Sequence, residues 1–313
     1  MKVFTSFDGV RIAYHDEGEG PAVVLLHGYG FDGLSNFGDF GRSLPTFERT
    51  SELCHAEFGV ALPQPAPLGQ GRPGLIPVLL AAGARAIVPD MRGFGASDTP
   101  RDKAAYANSA MARDVIALIG LLGLDAVDVL GHSMGSITAA KLLALGVPEV
   151  RSAILAGIGD YLLEGVELEL PENWPVPEFL PKPFTLQASA AERARVLDTG
   201  KVDRGNLASL EVITVRATGA DPKVLTAVLR GAIEAVRSQD LQNVTVPVLV
   251  LNGKADLANQ KTKQLLEAIP KACSSACEGD HLSMLWEPTF HRAAAAFFQQ
   301  RWRERSESVP RTW

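Results

Sequence analysis

The stretch around Ser133 limits the possible folds of this chain more than any other. A short apolar run at 125–130 (D-A-V-D-V-L) leads without a spacer into Gly131-His132-Ser133-Met134-Gly135. Apolar residues at three- and four-residue spacing then continue to Leu145, where Gly146 and Pro148 end the pattern. A run apolar on both faces reads as a buried strand, and the periodic segment after it reads as a helix. Between them lies a glycine-flanked serine at a sharp strand-to-helix turn. Further buried-strand runs lie at 22–27, 84–90, 152–156 and 247–252, and the stretch around Cys273 and Cys277 reads as part of a last strand. They alternate with helix patterns at 109–122, 260–269 and 287–302. The alternation predicts an α/β fold, a doubly wound and mostly parallel sheet covered by helices on both faces.

Two stretches interrupt this rhythm. Residues 160–240 hold no core strand; they open with Pro171, Pro175, Pro177, Pro181 and Pro183 and continue with helix-like segments near 189–198 and 222–238. They read as a mainly helical insertion, a cap, which divides the core domain into residues 1–159 and 241–313. The second interruption, 34–83, is a long connection rich in Gly and Pro, with a short helix expected at 46–58. At 313 residues the chain can bury a sizeable core without disulfides or metals.

Charge and composition exclude several roles. A formal net charge of −6 without a clustered basic run does not suit a nucleic-acid binder. No run is apolar and long enough to span a membrane, and the first residues lack the apolar core of a secretory signal, so a cytoplasmic protein is expected. Three cysteines, Cys54, Cys273 and Cys277, fit reduced thiols better than a disulfide framework. The spacing of Cys273, Cys277 and His281 invites a metal reading, but the ligand set is short and the residues between the cysteines read as strand. Packed or exposed thiols are expected there, with no metal and no cofactor.

A serine at a strained turn, at the N-terminus of a helix, suits a nucleophile, because the helix amides face developing negative charge. Its hydroxyl needs a base. His281, in E-G-D-H-L between the last strand and the final helix, is the candidate. His27 precedes a Gly-rich loop and His132 lies inside the turn, while His15, His55 and His291 read as solvated. The base needs an orienting acid, and Asp256, just past the run at 247–252, fits. Asp160, beyond the strand at 152–156, is the rival, and Asp280 reads as a solvated neighbour. The order Ser133, Asp256, His281 matches one of the known chain orders of a Ser–His–Asp constellation.

Further motifs follow the same order. They are His27-Gly28-Tyr29-Gly30, D-M-R-G-F-G-A-S at 90–97, G-H-S-M-G at 131–135, G-K-A-D at 253–256 and G-D-H at 279–281. Together they resemble the α/β-hydrolase superfamily, in particular its serine esterase and haloperoxidase-like members. The resemblance implies an oxyanion hole from the backbone amides of Tyr29 and Met134, a cap over the site at 160–240, and structural roles for Arg92 and Ser97. Epoxide hydrolases and haloalkane dehalogenases resemble the same family but carry aspartate where Ser133 stands. The implied activity is hydrolysis of a small-molecule carboxylic ester through an acyl-enzyme. C–C bond hydrolysis or perhydrolysis with the same triad is an alternative, and so is a non-catalytic binding protein on a hydrolase scaffold. Trp174, Phe179, Phe184, Tyr29 and Phe31 could line an acyl or alcohol pocket or simply pack in the core.

Overall fold

Strands β1 (Lys2–Thr5), β2 (Arg11–Glu17), β3 (Ala22–Leu26), β4 (Arg85–Pro89), β5 (Val127–His132), β6 (Val150–Ala156), β7 (Val248–Gly253) and β8 (Ala272–Cys277) join in a single sheet. Their order is β1-β2-β4-β3-β5-β6-β7-β8, in a computed structural model that describes residues 1–39, 48–49, 52–53, 56, 72–164, 190–200, 215–216, 218–256 and 259–308. From β4 to β8 every pairing is parallel, and β1 and β2 add an antiparallel edge.

The expected doubly wound sheet is therefore present, with one addition. β1, at the sheet edge, is mostly exposed, and β2 beside it buries only Ile12, Ala13 and Tyr14; the sequence pattern does not mark either strand.

Helices cover both faces. α1 (Gly33–Phe37) and α2 (Leu75–Ala81) lie within the long connection; α3 (Ala110–Leu121) and α4 (Met134–Ala144) flank β5 in sequence. α5 (Tyr161–Glu164), α6 (Ala190–Thr199), α7 (Pro222–Gly231) and α8 (Ser238–Leu241) fall mostly in the interruption before β7, and α9 (Lys263–Ala268) and α10 (Pro288–Ser308) complete the chain. Alternation along the strands divides the core in two. Val24, Leu26, Val129, Leu155 and Val250 pack with Met111, Val115, Ile137 and Leu142 on one face. Val23, Leu25, Leu130, Ile154 and Leu251 pack with Leu75, Leu79, Phe290, Ala294 and Phe298 on the other. Each such buried Val, Leu, Ile, Met or Phe side chain contributes about 1.5–3 kcal/mol of transfer free energy.

The described parts of 34–83 include two helices. They are α1, fixed by a capping box between Asp32 and Ser35, and α2, whose Leu75 and Leu79 are buried. Of the helix expected at 46–58, Glu48, Arg49, Glu52, Leu53 and Ala56 are helical, and the remainder lies outside the described residues. In the 160–240 interruption α6 packs against α7. α7 in turn rests on the turn Lys103–Ala105, where a side chain on Gly231 would collide with the Lys103 carbonyl. Trp174, Phe179 and Phe184 lie outside the described residues. Among the described residues no helix is long and apolar enough to cross a membrane.

The sheet order places a topological switch point between β3 and β5. From β3 the chain steps to β4 on one side and then crosses back to β5 on the other. Ligands of open α/β sheets bind at such a point, beyond the carboxyl ends of the strands. The loop after β3 and the turn after β5 face each other there.

Candidate active site

Ser133 joins β5 to α4 directly. Its backbone sits at φ 54° and ψ −114°, a conformation costly for a residue with a Cβ. The flanking glycines explain how the turn closes. A Cβ on Gly135 would collide with the Leu26 carbonyl of β3, and one on Gly131 with the Gly135 carbonyl. The Ser133 amide donates to the Ala156 carbonyl of β6, tying the turn to the neighbouring strand.

The residues singled out in sequence meet at this point. The Ser133 hydroxyl lies 3.1 Å from His281 Nε2, and His281 Nδ1 lies 2.9 Å from Asp256 Oδ2. With Nδ1–H donating to Asp256, Nε2 presents its lone pair to the serine hydroxyl. Asp256 is buried and His281 is partly exposed. The rival acid does not reach the histidine. Asp160 Oδ1 accepts from the Leu265 amide at 2.9 Å and so caps the start of α9 from a distance. Asp280 turns away likewise, accepting from the Leu282 and Ser283 amides.

The loop after β3 lies beside Ser133: a Cβ on Gly28 would stand 3.6 Å from the Ser133 Cβ. The loop is held from several sides. Gly28 N–H donates to Asn36 Oδ1 at 2.7 Å, His27 Nδ1–H donates to the Gly28 carbonyl, and the Met91 amide donates to His27 Nε2. Asp90 accepts from the Gly33 and Ala96 amides, joining this loop to the D-M-R-G-F-G-A-S stretch. Met134 is the first residue of α4, so its N–H precedes any intrahelical acceptor. Tyr29 stacks edge-on to Phe94, with the Arg193 guanidinium of α6 5.1 Å from its ring centre.

Arg92 and Ser97 are structural, as the resemblance implies. The buried Arg92 guanidinium binds Asp114 and Asp8, and Ser97 Oγ bridges the Asp90 carbonyl and the Ala13 amide.

The histidines that sequence patterns pass over do more than expected. His27 braces the loop after β3. His132 is fully buried, and its Nε2–H donates to the His281 backbone carbonyl at 2.8 Å, holding that residue's backbone from behind. His291, read as solvated, is buried instead and bonds the Leu285 carbonyl through Nε2, because the start of α10 packs against the turn Ser283–Trp286. His27 and His132 end apolar strand runs and His291 stands beside Phe290, so burial is readable there, but the hydrogen-bond partners are not.

Burial, with the nearby His281 as a lesser contributor, pushes the His132 pKa down to about 3 from the usual 6.5. Burial lowers His27 in the same direction. The folded chain therefore refuses protons that the unfolded chain accepts below about pH 6.5, and stability falls as pH drops from there towards 3. For His132 the slope reaches about 1.4 kcal/mol per pH unit. Urea midpoints measured from pH 7 to pH 5 should show this loss, and His132→Gln should flatten part of it.

The metal reading gains no geometric support. Cys273 is exposed, and the Cys277 thiol is buried, pushed up to about 12 by desolvation, and aimed at the Asn252 carbonyl. Among the described residues no three His, Cys, Asp or Glu side chains gather in a way that could hold an ion.

A conserved-family model described as the alpha/beta hydrolase fold matches residues 53–288. The chain belongs to this family of hydrolases. Among relatives, a 2-hydroxymuconate semialdehyde hydrolase of Pseudomonas sp. (strain CF600) is 27% identical over 209 residues, 66% of this chain and 57% of the relative. Epoxide hydrolase 2 of Siraitia grosvenorii is 39% identical over 134 residues, 43% of this chain and 31% of the relative. The matched region thus spans from about a third to a little over half the length of these curated relatives.

Solved structures agree over nearly the whole chain. A meta-cleavage product hydrolase from Pseudomonas fluorescens IP01 superposes with a TM-score of 0.59 at 20% identity, covering 96% of this chain and 98% of that one. A thermophilic esterase from Thermogutta terrifontis gives 0.58 at 20% identity, covering 97% and 98%. At such identities these likenesses establish the fold.

Proposed function

We propose that the protein hydrolyses carboxylic esters of small to medium size through an acyl-enzyme on Ser133. The observation that carries this reading is the unbroken line from Ser133 Oγ through His281 to Asp256. In the proposed cycle His281 Nε2 takes the serine proton as Oγ attacks the ester carbonyl, and Asp256 stabilises the resulting imidazolium. The amides of Tyr29 and Met134 hold the tetrahedral oxyanion; each such donor is worth about 3 kcal/mol. Collapse breaks the bond to the alcohol, which leaves with the proton from His281. Water, deprotonated by the same nitrogen, then attacks the acyl-enzyme and releases the acid. Residues 160–240 would cover the site as a cap.

The serine weighs against epoxide opening despite the epoxide hydrolase relative. A serine that opened an epoxide would be left as a stable ether, which a histidine-activated water does not cleave. C–C hydrolysis is the second reading, favoured by the 2-hydroxymuconate semialdehyde hydrolase likeness.

Nitrophenyl esters of graded acyl length test the proposal against vinylogous diketones. The expected result is a burst of nitrophenolate matching the enzyme concentration, followed by steady turnover. Turnover of diketones alone would transfer the site to C–C cleavage, and no turnover of either class would favour the binding protein.

A further inference from the structure

We infer that Asn259 is a positioning residue for the proposed acid–base pair: it aims the Asp256 carboxylate and tempers its pull on His281. The inference rests on the reading of Asp256 and His281 given above. Asn259 is buried, three residues beyond the acid, and its Nδ2 donates to Asp256 Oδ2 at 2.7 Å. That oxygen is the one His281 Nδ1 also uses, at 2.9 Å, and the two nitrogens lie 3.1 Å apart. One carboxylate oxygen thus serves two donors.

The orientation of the amide follows from charge. The reversed amide would set Asn259 Oδ1 against a carboxylate oxygen, so the donor must face Asp256. This leaves Oδ1 without a partner among the described residues, although it is buried. A buried amide that leaves its own oxygen unsatisfied gives up free energy, and the bond to Asp256 offsets that cost.

The backbone around Asn259 is built to keep it there. Asn252 of β7 donates through Nδ2 to the Asn259 carbonyl at 2.7 Å and to the Ile158 carbonyl at 2.9 Å. Its Oδ1 accepts from the Ile158 amide, so Asn252 clamps the acid loop to the chain leaving β6. The Asn259 amide also donates to the Asp256 carbonyl, and Gln260 Nε2 donates to the carbonyls of Gly253 and Asp256.

A donor on a carboxylate favours its ionised form and draws charge away from its other partner. Asn259 should therefore lower the attraction that imidazolium feels from Asp256. The other groups around His281 are Ser133 and the His132 ring, 5.0 Å away at the end of β5. Tyr161 of α5 stands close enough to sense both Asp256 and Arg193 of α6. Asp280 is directed at backbone amides. None of these donates to Asp256 Oδ2 in the described residues.

The test compares wild type with Asn259→Leu, which keeps the branched shape and excludes water, and with Asn259→Ala. Two readouts are taken: the His281 Cε1–H titration by NMR, and the acid limb of kcat/KM on a nitrophenyl ester. In Asn259→Leu both midpoints should move to higher pH by about half a unit or more. In Asn259→Ala they should move the same way by less, since water can enter and donate. Unmoved midpoints, with only kcat or melting temperature reduced, would overturn the inference, and Asn259→Ala decides alone if the leucine variant does not fold. The NMR titration needs no turnover. An inactive wild type would sink the esterase reading, while the titration would still decide the role of Asn259.

Discussion

Ser133→Ala is expected to lower kcat/KM for a nitrophenyl ester on the order of 10⁶-fold, while leaving the melting temperature nearly unchanged. Loss of a proposed nucleophile removes the whole acyl-enzyme route, because His281 and Asp256 then have no hydroxyl to activate. The fold should be indifferent for a specific reason. Alanine keeps the Cβ, so the strain at φ 54° is neither added nor relieved. Glycine at the same position should also be inactive but more stable, by about 1–3 kcal/mol, since it adopts this backbone without penalty. The pair of variants separates what the serine does for chemistry from what its conformation costs the fold. Ester turnover by the alanine variant at more than a few per cent of wild type would remove Ser133 from the mechanism.

The second large effect concerns the acid. Asp256→Asn should reduce kcat on the order of 10⁴-fold, because an amide presents a donor that favours the wrong tautomer of His281. Asp160→Asn is the control, since the two aspartates occupy comparable places past adjacent strands. Asparagine at 160 keeps an oxygen for the Leu265 amide, so both kcat and stability should stay close to wild type. A stopped-assay comparison of the two variants under saturating ester is sufficient. A large loss in Asp160→Asn with Asp256→Asn near wild type would reverse the assignment of the acid.

Much of the fold was legible because its signals are local. The runs beneath β3 to β7 are apolar on both faces, and a buried parallel strand has no other way to meet its neighbours. Glycines that stop helices and open turns act within a few residues. The hairpin of β1 and β2 escaped because β1 is an exposed edge strand and the buried run of β2 is only three residues long. α1 and α2 were hidden in a Gly- and Pro-rich stretch where composition outweighs periodicity. His291 was misjudged because its burial comes from packing against the turn Ser283–Trp286 and its bond to the Leu285 carbonyl, which its flanking residues do not reveal.

The candidate site divides in the same way. Residue type and chain order were enough to nominate Ser133, Asp256 and His281, since each stands directly after a strand and parallel strands deliver their ends to one edge. Sequence already preferred Asp256 to Asp160, and the tertiary structure adds the distances: Asp256 meets His281 while Asp160 caps α9. The supports lay further out of reach. His27, His132, Asn252 and Asn259 work through hydrogen bonds between segments far apart in the chain, and nothing local marks a side chain whose partner is chosen by the packing of the sheet. Sequence by itself determined the doubly wound sheet and nominated the residues that meet at its switch point, because hydrophobic period and turn geometry are short-range properties. Only the tertiary structure decided which acid meets the base and what holds both in place, because those contacts exist only once the strand ends have been brought together.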